Sequence, residues 1–300
     1  VDLNPHQVDA AMFALRSPLS KGVLLADEVG LGKTIEAGLI LHYQLHTGRA
    51  KRALIVVPDS LTHQWLVEML RRFNLRFSIV DQGRYDALKE QESDVDALVN
   101  HIFGDEDAVN PFESEQLVLC SLDFLKKSQK AQDDALKAHW DLMIVDEAHH
   151  LAWSPEEVSP EYRIVEKLSA VSRGLLLLTA TPEQVGIASH FARLRLLDPA
   201  RFHDLETFRR EEQQYEAINS VVRRLQDESS DISEGDQKLL REWLGEELDQ
   251  LFAGDNPRQS VIDALLDRHG TGRVLFRNTR AAIQGFPERR PDPEPLPCPA

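Results

Sequence analysis

Over the first two hundred residues, short apolar runs alternate with longer stretches of helical character. The runs are Gly22–Ala26, Ala53–Val57, Phe77–Val80, Leu117–Cys120, Leu142–Val145 and Leu175–Thr179. Most are apolar at every position, which is typical of strands buried on both faces of a parallel sheet. Segments between them, such as Lys33–Thr47 and Leu61–Phe73, have the length and spacing of helices. The alternation predicts an α/β fold, a doubly wound parallel sheet flanked by helices, with ligand sites at the carboxyl ends of its strands.

The character of the sequence changes after about Pro199. Phe208–Gln226 and Gln237–Phe252 are rich in Glu, Arg, Gln and Leu and contain no apolar strand. They predict an α-helical insertion or subdomain over residues 201–270, following an α/β lobe over residues 1–200. The charges there are typical of solvated helix faces, and a docking surface for a protein partner is the alternative.

Charge and composition exclude several classes of protein. The net charge of −16 argues against a simple basic nucleic-acid-binding module, although it does not decide what one groove binds. The chain has no apolar run of about 20 residues and no signal peptide, so no membrane association is expected. Two cysteines, Cys120 and Cys298, form no plausible disulfide framework or zinc site. We therefore expect no structural metal and a cytoplasmic location.

The first strand runs directly into a glycine-rich loop and then a helix. We predict that the loop binds nucleotide through Asp27, Glu28, Val29, Gly30, Leu31, Gly32, Lys33 and Thr34. Glycines allow backbone N–H groups to face phosphate oxygens, and the helix N-terminus adds partial positive charge. Lys33 would then reach the β- and γ-phosphates, and the Thr34 hydroxyl would ligate magnesium. The loop thus predicts ATP and Mg²⁺ as cofactors, with Asp27 standing where a first glycine is usual.

Two carboxylates follow the apolar run Leu142–Val145. Asp146 would hold magnesium through water, while Glu147 would orient the attacking water, a division of labour that phosphoryl transfer needs. Lys33, Asp146 and Glu147 are therefore the candidate catalytic residues. An acidic helix N-terminus is the alternative for Asp-Glu alone, and the Gly-Lys-Thr loop earlier in the chain disfavours it.

A third element, Leu175 to Pro182, places Thr179 and Thr181 at the end of a buried strand. In isolation it is typical of a strand-to-helix turn with a capping threonine. The order of the three elements, with the strings Asp-Glu-Ala-His at 146–149 and Thr-Ala-Thr-Pro at 179–182, resembles helicase superfamily two. The loop string Asp-Glu-Val-Gly-Leu-Gly-Lys-Thr is similar to the Swi/Snf-type branch of double-stranded DNA translocases, in which the acidic residue at Asp27 is usual.

That resemblance implies a RecA-like fold and assigns further roles. Gln7 would recognise adenine, and His149, Thr179 and Thr181 would couple the ATP site to its surroundings. The segment Ala53 to Trp65 and the segment Val118 to Leu125 resemble two further motifs of the branch, which implies nucleic-acid contacts by Ser60, Gln64 and Ser121. Two alternatives stay open here. Trp65 either touches nucleic acid or packs in the core, and the lysines 126, 127 and 130 form either a basic patch or a solvated helix surface.

The string Ile-Glu-Ala-Gly at 35–38 and the segment Leu275 to Pro287 resemble the bacterial RNA-polymerase-associated ATPases of the branch. The resemblance implies a DNA-dependent ATPase that translocates on double-stranded DNA, binds core RNA polymerase and acts in its recycling during transcription. A restriction or phage-defence translocase and a nucleotide-gated interaction module are the alternatives. The expected location is the bacterial cytoplasm, associated with the nucleoid.

The branch completes its ATPase site with a second lobe that carries arginine fingers. Residues 271–300 are predicted to begin the linker to such a lobe, and Arg277 and Arg280 are not obvious substitutes for those arginines. An arginine finger contributes roughly 10³–10⁵-fold in rate. The resemblance therefore predicts that this chain alone binds nucleotide and hydrolyses it weakly.

Overall fold

The structure, a computed structural model, describes residues 4–16, 21–28, 30–89, 110–180, 186–226, 233–245, 247–252, 257–269 and 275–276. Its strands are β1 Gly22–Leu25, β2 Ala53–Val57, β3 Ser78–Ile79, β4 Leu117–Ser121, β5 Trp140–Val145, β6 Ser172–Leu178 and β7 Leu275–Phe276. Its first helices are α1 Pro5–Arg16, α2 Lys33–His46, α3 Thr62–Phe73, α4 over residues 82–89, α5 Leu122–Lys127 and α6 Gln129–Lys137. The later helices are α7 Pro160–Val171, α8 Gly186–Leu197, α9 Leu205–Gln226, α10 Glu234–Leu244, α11 Glu247–Phe252 and α12 Pro257–His269.

The strands form one sheet in the order β3-β4-β2-β5-β6-β1-β7. Every pairing among the described strands is parallel. Strand β2 is buried at all five positions because helices cover both faces of the sheet. Its alternate residues belong to two separate apolar cores, with Leu54 and Val56 on one face and Ala53, Ile55 and Val57 on the other.

The sheet order brings the carboxyl ends of β1, β6 and β5 side by side. The glycine-rich loop leaves β1, the Thr179 segment leaves β6, and Asp146 follows β5. In an open α/β sheet, ligands bind in the crevice outside the carboxyl ends of the strands. The topology therefore gathers the three predicted elements at one edge.

The predicted α/β fold with a doubly wound parallel sheet is confirmed, and each of the six predicted runs contains a strand. Strand β7 was not predicted. Leu275 and Phe276 pair in parallel with Leu24 and Leu25 at the edge of the sheet, although the sequence places them in the linker. A strand of two residues has no periodicity that would reveal it.

The helices after Phe202 pack around a third apolar cluster of their own. Its buried members are Val221, Leu225, Leu240, Leu244, Leu248, Val261, Ile262 and Leu265. This arrangement fits the predicted helical subdomain, although the limits 1–200, 201–270 and 271–300 stay predictions.

Within the described part of the chain, no helix is long and apolar enough to span a membrane, and no cluster of three or more His, Cys, Asp or Glu side chains suits a metal ion. Residues 90–109 lie outside the described residues.

Candidate functional site

The glycine-rich loop has a backbone conformation that its glycines permit. Gly30 and Gly32 have φ angles of 87° and 96°, a region that side chains with a Cβ rarely adopt. A Cβ on Gly32 would also lie 2.4 Å from the Gln7 amide nitrogen. Helix α2 begins at Lys33, directly after Gly32, so its first N–H groups and its dipole lie at the loop. Val29 lies outside the described residues.

Lys33 lies along this loop. Its Nζ donates a hydrogen bond of 2.7 Å to the backbone oxygen of Asp27. Lys33 and Thr34 are both partly exposed in the first turn of α2, where a triphosphate would find an ammonium, a hydroxyl and a helix N-terminus. Phosphate oxygens entering the loop would compete with the Asp27 carbonyl for the ammonium group.

Beneath the loop, two carboxyl groups lie together in the protein interior. Asp27 and Glu36 are both 0% exposed. Burial, with the neighbouring charge of Asp27 and a hydrogen bond to it, raises the pKa of Glu36 to about 9. Glu36 is therefore protonated at neutral pH. The side chain of Asp27 has no exposed surface. Its contact with the loop lysine is made by the backbone carbonyl, which accepts from Lys33 Nζ. Direct nucleotide contact by Asp27 stays a prediction.

Glu36→Gln is expected to stabilise the chain at alkaline pH. A glutamate pKa that is raised in the folded state makes a stabilising contribution below pH 4.5, and this contribution is lost as pH rises toward 9. A neutral Gln avoids that loss, so the variant should gain on the order of 3 kcal/mol at pH 8 and nothing at pH 4. Urea unfolding at both pH values measures this, with exposed Glu113→Gln as control. If the stabilities of the wild type and the variant changed in parallel between pH 4 and pH 8, the raised pKa of Glu36 would be contradicted.

Two side chains of α1 bind the loop backbone. Gln7 Nε2 donates to the Leu31 carbonyl at 3.0 Å, and His6 Nε2 lies 2.9 Å from the same oxygen. Both side chains are buried. The predicted adenine residue thus lies directly against the phosphate loop, and adenine contact by Gln7 stays a prediction. His6 was not singled out from the sequence, where a histidine beside a candidate residue carries no signal of its own.

The second half of the site lies at the end of β5. Asp146 accepts hydrogen bonds at both carboxylate oxygens, from Trp65 Nε1 at 2.8 Å and from the Glu147 backbone N–H at 2.8 Å. Burial raises the pKa of Asp146, while the two donors and the nearby charge of Lys33 lower it. The loop of Lys33 and this carboxylate lie at the same carboxyl edge of the sheet, so the lysine charge favours the ionised form of Asp146. Trp65 is 1% exposed, so the core alternative for this residue is the observed one.

Glu147 has a strained backbone. Its φ of 50° places a non-glycine residue in the left-handed region, and such strain concentrates at functional sites. Glu147 Oε2 lies 3.0 Å from His149 Nδ1. Burial, followed by the charges of His150 and Arg193, lowers the pKa of His149, so this imidazole is neutral at pH 7.

The other predicted residues differ in their burial and in their distance along the chain from this site. Thr179 is fully buried, and its N–H donates to the Leu25 carbonyl at the end of β1. Thr181, Arg277 and Arg280 lie outside the described residues. Ser60 and Gln64 are exposed beyond β2, whereas Ser121 is buried and caps α5 by accepting from the Phe124 N–H.

The residues fit magnesium and a triphosphate. Hydroxyl and carboxylate oxygens are the ligands that Mg²⁺ prefers, and Thr34 and Asp146 supply one of each at the carboxyl edge of the sheet. Lys33 and the α2 N-terminus supply positive charge where phosphates would lie. The lysines at 126, 127 and 130 form a weaker basic patch than their number indicates. Lys126 forms ion pairs with Glu161 and Asp123, which offset its positive charge.

Comparison with known proteins agrees with this geometry. The family model described as the SNF2-related domain matches residues 6–248. The chain belongs to the SNF2-related domain family. Within that family, it is 56% identical over 300 residues to the RNA polymerase-associated protein RapA of Stutzerimonas stutzeri (strain A1501) and 54% identical to RapA of Pseudomonas aeruginosa (strain LESB58). Each comparison covers 98% of this chain and 30% of the relative, so the chain spans about a third of their length.

Solved structures share the fold of this SNF2-related chain. The Sulfolobus solfataricus SWI2/SNF2 ATPase core in complex with dsDNA superposes with a TM-score of 0.55 at 17% identity, covering 96% of this chain and 47% of that chain. A second structure, the Sulfolobus solfataricus SWI2/SNF2 ATPase core domain, superposes with a TM-score of 0.55 at 16% identity. Both structures confirm the RecA-like fold that the resemblance implies. The predicted resemblance to RapA and to the Swi/Snf-type branch is likewise confirmed.

Proposed function

We propose that this chain is the ATP-binding motor lobe of a DNA-dependent ATPase that translocates on double-stranded DNA and acts with RNA polymerase. The observation that carries the proposal is the meeting of the Lys33-Thr34 loop and the Asp146-Glu147 pair at the carboxyl edge of one parallel sheet. SNF2-related family membership supports ATP hydrolysis as the reaction. The names of the RapA relatives support association with RNA polymerase, and hence a location in the bacterial cytoplasm with the nucleoid.

The residues predicted from the sequence take the following roles in the proposed mechanism. Lys33 and the N–H groups of the loop would hold the β- and γ-phosphates, and Gln7 would contact adenine. Thr34 and Asp146 would hold Mg²⁺, which neutralises phosphate charge when bound. Glu147 would orient the attacking water. His149, Thr179 and Thr181 would couple this chemistry to movement of a second lobe.

DNA would lie beyond the ends of β2 and β4. Ser60 and Gln64 are exposed there, and such side chains contact phosphates without reading sequence. Ser121 caps a helix in this structure, so a phosphate contact by its hydroxyl would require that cap to open. The Sulfolobus core solved with dsDNA supports duplex DNA as the partner.

ATP turnover with and without duplex DNA tests this proposal. The intact gene product is expected to hydrolyse ATP faster on DNA, while the 300-residue chain alone should turn over slowly and respond little to DNA. The reason is that an arginine finger supplied by a second lobe contributes roughly 10³–10⁵-fold. Robust DNA-dependent hydrolysis by the chain alone would contradict the two-lobe mechanism.

The RapA relatives favour the polymerase-associated function over a restriction or phage-defence translocase and over a nucleotide-gated interaction module. Capture of core RNA polymerase by the tagged intact gene product separates these alternatives. Retention of polymerase at physiological salt supports the proposal. DNA-stimulated hydrolysis without any retention would support a defence translocase.

A further inference from the structure

Asp146 is held by three contacts from the protein. Its backbone N–H donates to the Val56 carbonyl of β2 at 3.0 Å. Its Oδ2 accepts from Trp65 Nε1, and its Oδ1 accepts from the Glu147 N–H. The contacts with Val56 and Glu147 are made by the backbones of those residues. The contact with Trp65 is made by a side chain, which belongs to helix α3. Its removal would free one oxygen of the carboxylate and leave the backbone contacts in place.

The indole is itself fixed in place. Trp65 is 1% exposed and packs in the apolar core between α3 and the sheet. A buried indole N–H requires an acceptor, since leaving it unpaired is costly. The packed ring therefore presents one N–H in a fixed direction, and the carboxylate of Asp146 meets it at 2.8 Å. A donor to an ionised acceptor is among the stronger hydrogen bonds in proteins.

We propose that Trp65 is a positioning residue for magnesium: its indole N–H holds Oδ2 of Asp146 and so fixes the orientation in which this carboxylate would hold the metal. The inference rests on the proposed function, since it assigns Trp65 to the magnesium site of the ATPase. It assigns to Trp65 a role that neither core packing nor nucleic-acid contact describes. Trp65 itself contacts neither nucleotide nor metal.

The chain contains a matched control for this contact. Trp140 is also 1% exposed, and its Nε1 donates at 2.9 Å to a backbone carbonyl, that of Ala135. Trp140 begins β5, whereas Asp146 follows the other end of the same strand. Trp65→Phe and Trp140→Phe therefore each replace a buried indole by a phenyl ring and remove one indole N–H hydrogen bond. They differ in whether the lost partner is the magnesium carboxylate.

The test titrates the 300-residue chain with a fluorescent ATP analogue, at a series of Mg²⁺ concentrations and in EDTA. Trp65→Phe should raise the Mg²⁺ concentration for half-maximal binding about tenfold, which is the loss of one hydrogen bond to a charged group. Its affinity for the analogue in EDTA should stay within about twofold of the wild type. Trp140→Phe should leave both quantities unchanged. An unchanged Mg²⁺ requirement in a folded Trp65→Phe chain overturns the proposal, as does an equal change in Trp140→Phe.

The outcome for Trp65 is separable from the outcome for the function. If the wild-type chain shows no Mg²⁺-dependent binding, the proposed function fails. If the wild type binds and only the Trp65 effect is missing, the function stands and the positioning role fails.

A second measurement applies if Trp65→Phe does not fold. The four indole N–H signals of the ¹⁵N-labelled wild-type chain are assigned by elimination with Trp140→Phe, Trp153→Phe and Trp243→Phe. Adding Mn²⁺ with ATP should broaden the Trp65 signal strongly, because its nitrogen lies 2.8 Å from the Asp146 oxygen. A Trp65 signal that stays sharp while Mn²⁺-ATP is bound overturns the proposal.

Discussion

ATP turnover is expected to fall at least about a hundredfold when Lys33 is replaced by Ala, because the phosphate loop then loses its one long cation at the β- and γ-phosphates. In the structure the Lys33 ammonium donates a hydrogen bond of 2.7 Å to the Asp27 carbonyl, within the loop that would surround the phosphates. No backbone group replaces a full charge at that place. Phosphate release by the intact gene product, at saturating ATP and duplex DNA, measures the loss.

Lys51→Ala is the control for Lys33→Ala. Lys51 is exposed at the amino end of β2, the opposite edge of the sheet, and it interacts with Asp141 through its backbone N–H rather than its side chain. Its removal should leave turnover within about twofold of the wild type, as is usual for surface substitutions. Equal losses in the two variants, or full turnover in Lys33→Ala, would refute the assignment of the phosphate loop.

Glu147→Gln is expected to separate ATP binding from hydrolysis. The Gln side chain keeps the size of Glu but cannot accept a proton or orient water through a negative charge, so turnover should fall roughly 10²–10⁴-fold. Binding of ATP should change little, because the metal carboxylate is Asp146 and the backbone N–H of residue 147 still donates to it. Single-turnover hydrolysis and analogue binding, measured side by side in the intact gene product, provide the two values.

The control for Glu147→Gln is the same substitution at Glu156, an exposed glutamate on the loop that follows the site. This variant should hydrolyse ATP like the wild type. If Glu147→Gln hydrolysed ATP at the wild-type rate, another residue would have to orient the water. If it lost nucleotide binding in proportion to turnover, the left-handed backbone at Glu147 would matter for the shape of the loop rather than for the chemistry.

Much of the fold, and the candidate site at its carboxyl edge, could be predicted from the sequence because the signals are local. Continuous apolar runs such as Ala53–Val57 indicate buried parallel strands, and Gly32-Lys33-Thr34 between a strand and a helix indicates a phosphate site. The short β7 could not be predicted, since a strand of two residues forms only because Leu24 and Leu25 offer a free edge.

Contacts between distant parts of the chain could not be predicted from the sequence either. Trp65 and Asp146 are 81 positions apart, and only the parallel sheet brings the indole to the carboxylate. Likewise, a glutamate in the first turn of α2 looks like a favourable charge near a helix N-terminus. Its burial against Asp27 is what makes Glu36 a protonated group. Burial and long-range partners depend on packing, which periodicity and spacing do not specify.

In the proposed function, Lys33, Thr34 and Asp146 form one magnesium-dependent ATP site. Titration of the 300-residue chain with a fluorescent ATP analogue, with Mg²⁺ and with EDTA, tests that claim most directly. We expect saturable binding that strengthens with Mg²⁺ in the wild type and weakens at least about tenfold in Lys33→Ala, which corresponds to about 1.4 kcal/mol. Equal affinity of wild type and Lys33→Ala, or binding indifferent to Mg²⁺, would contradict the account.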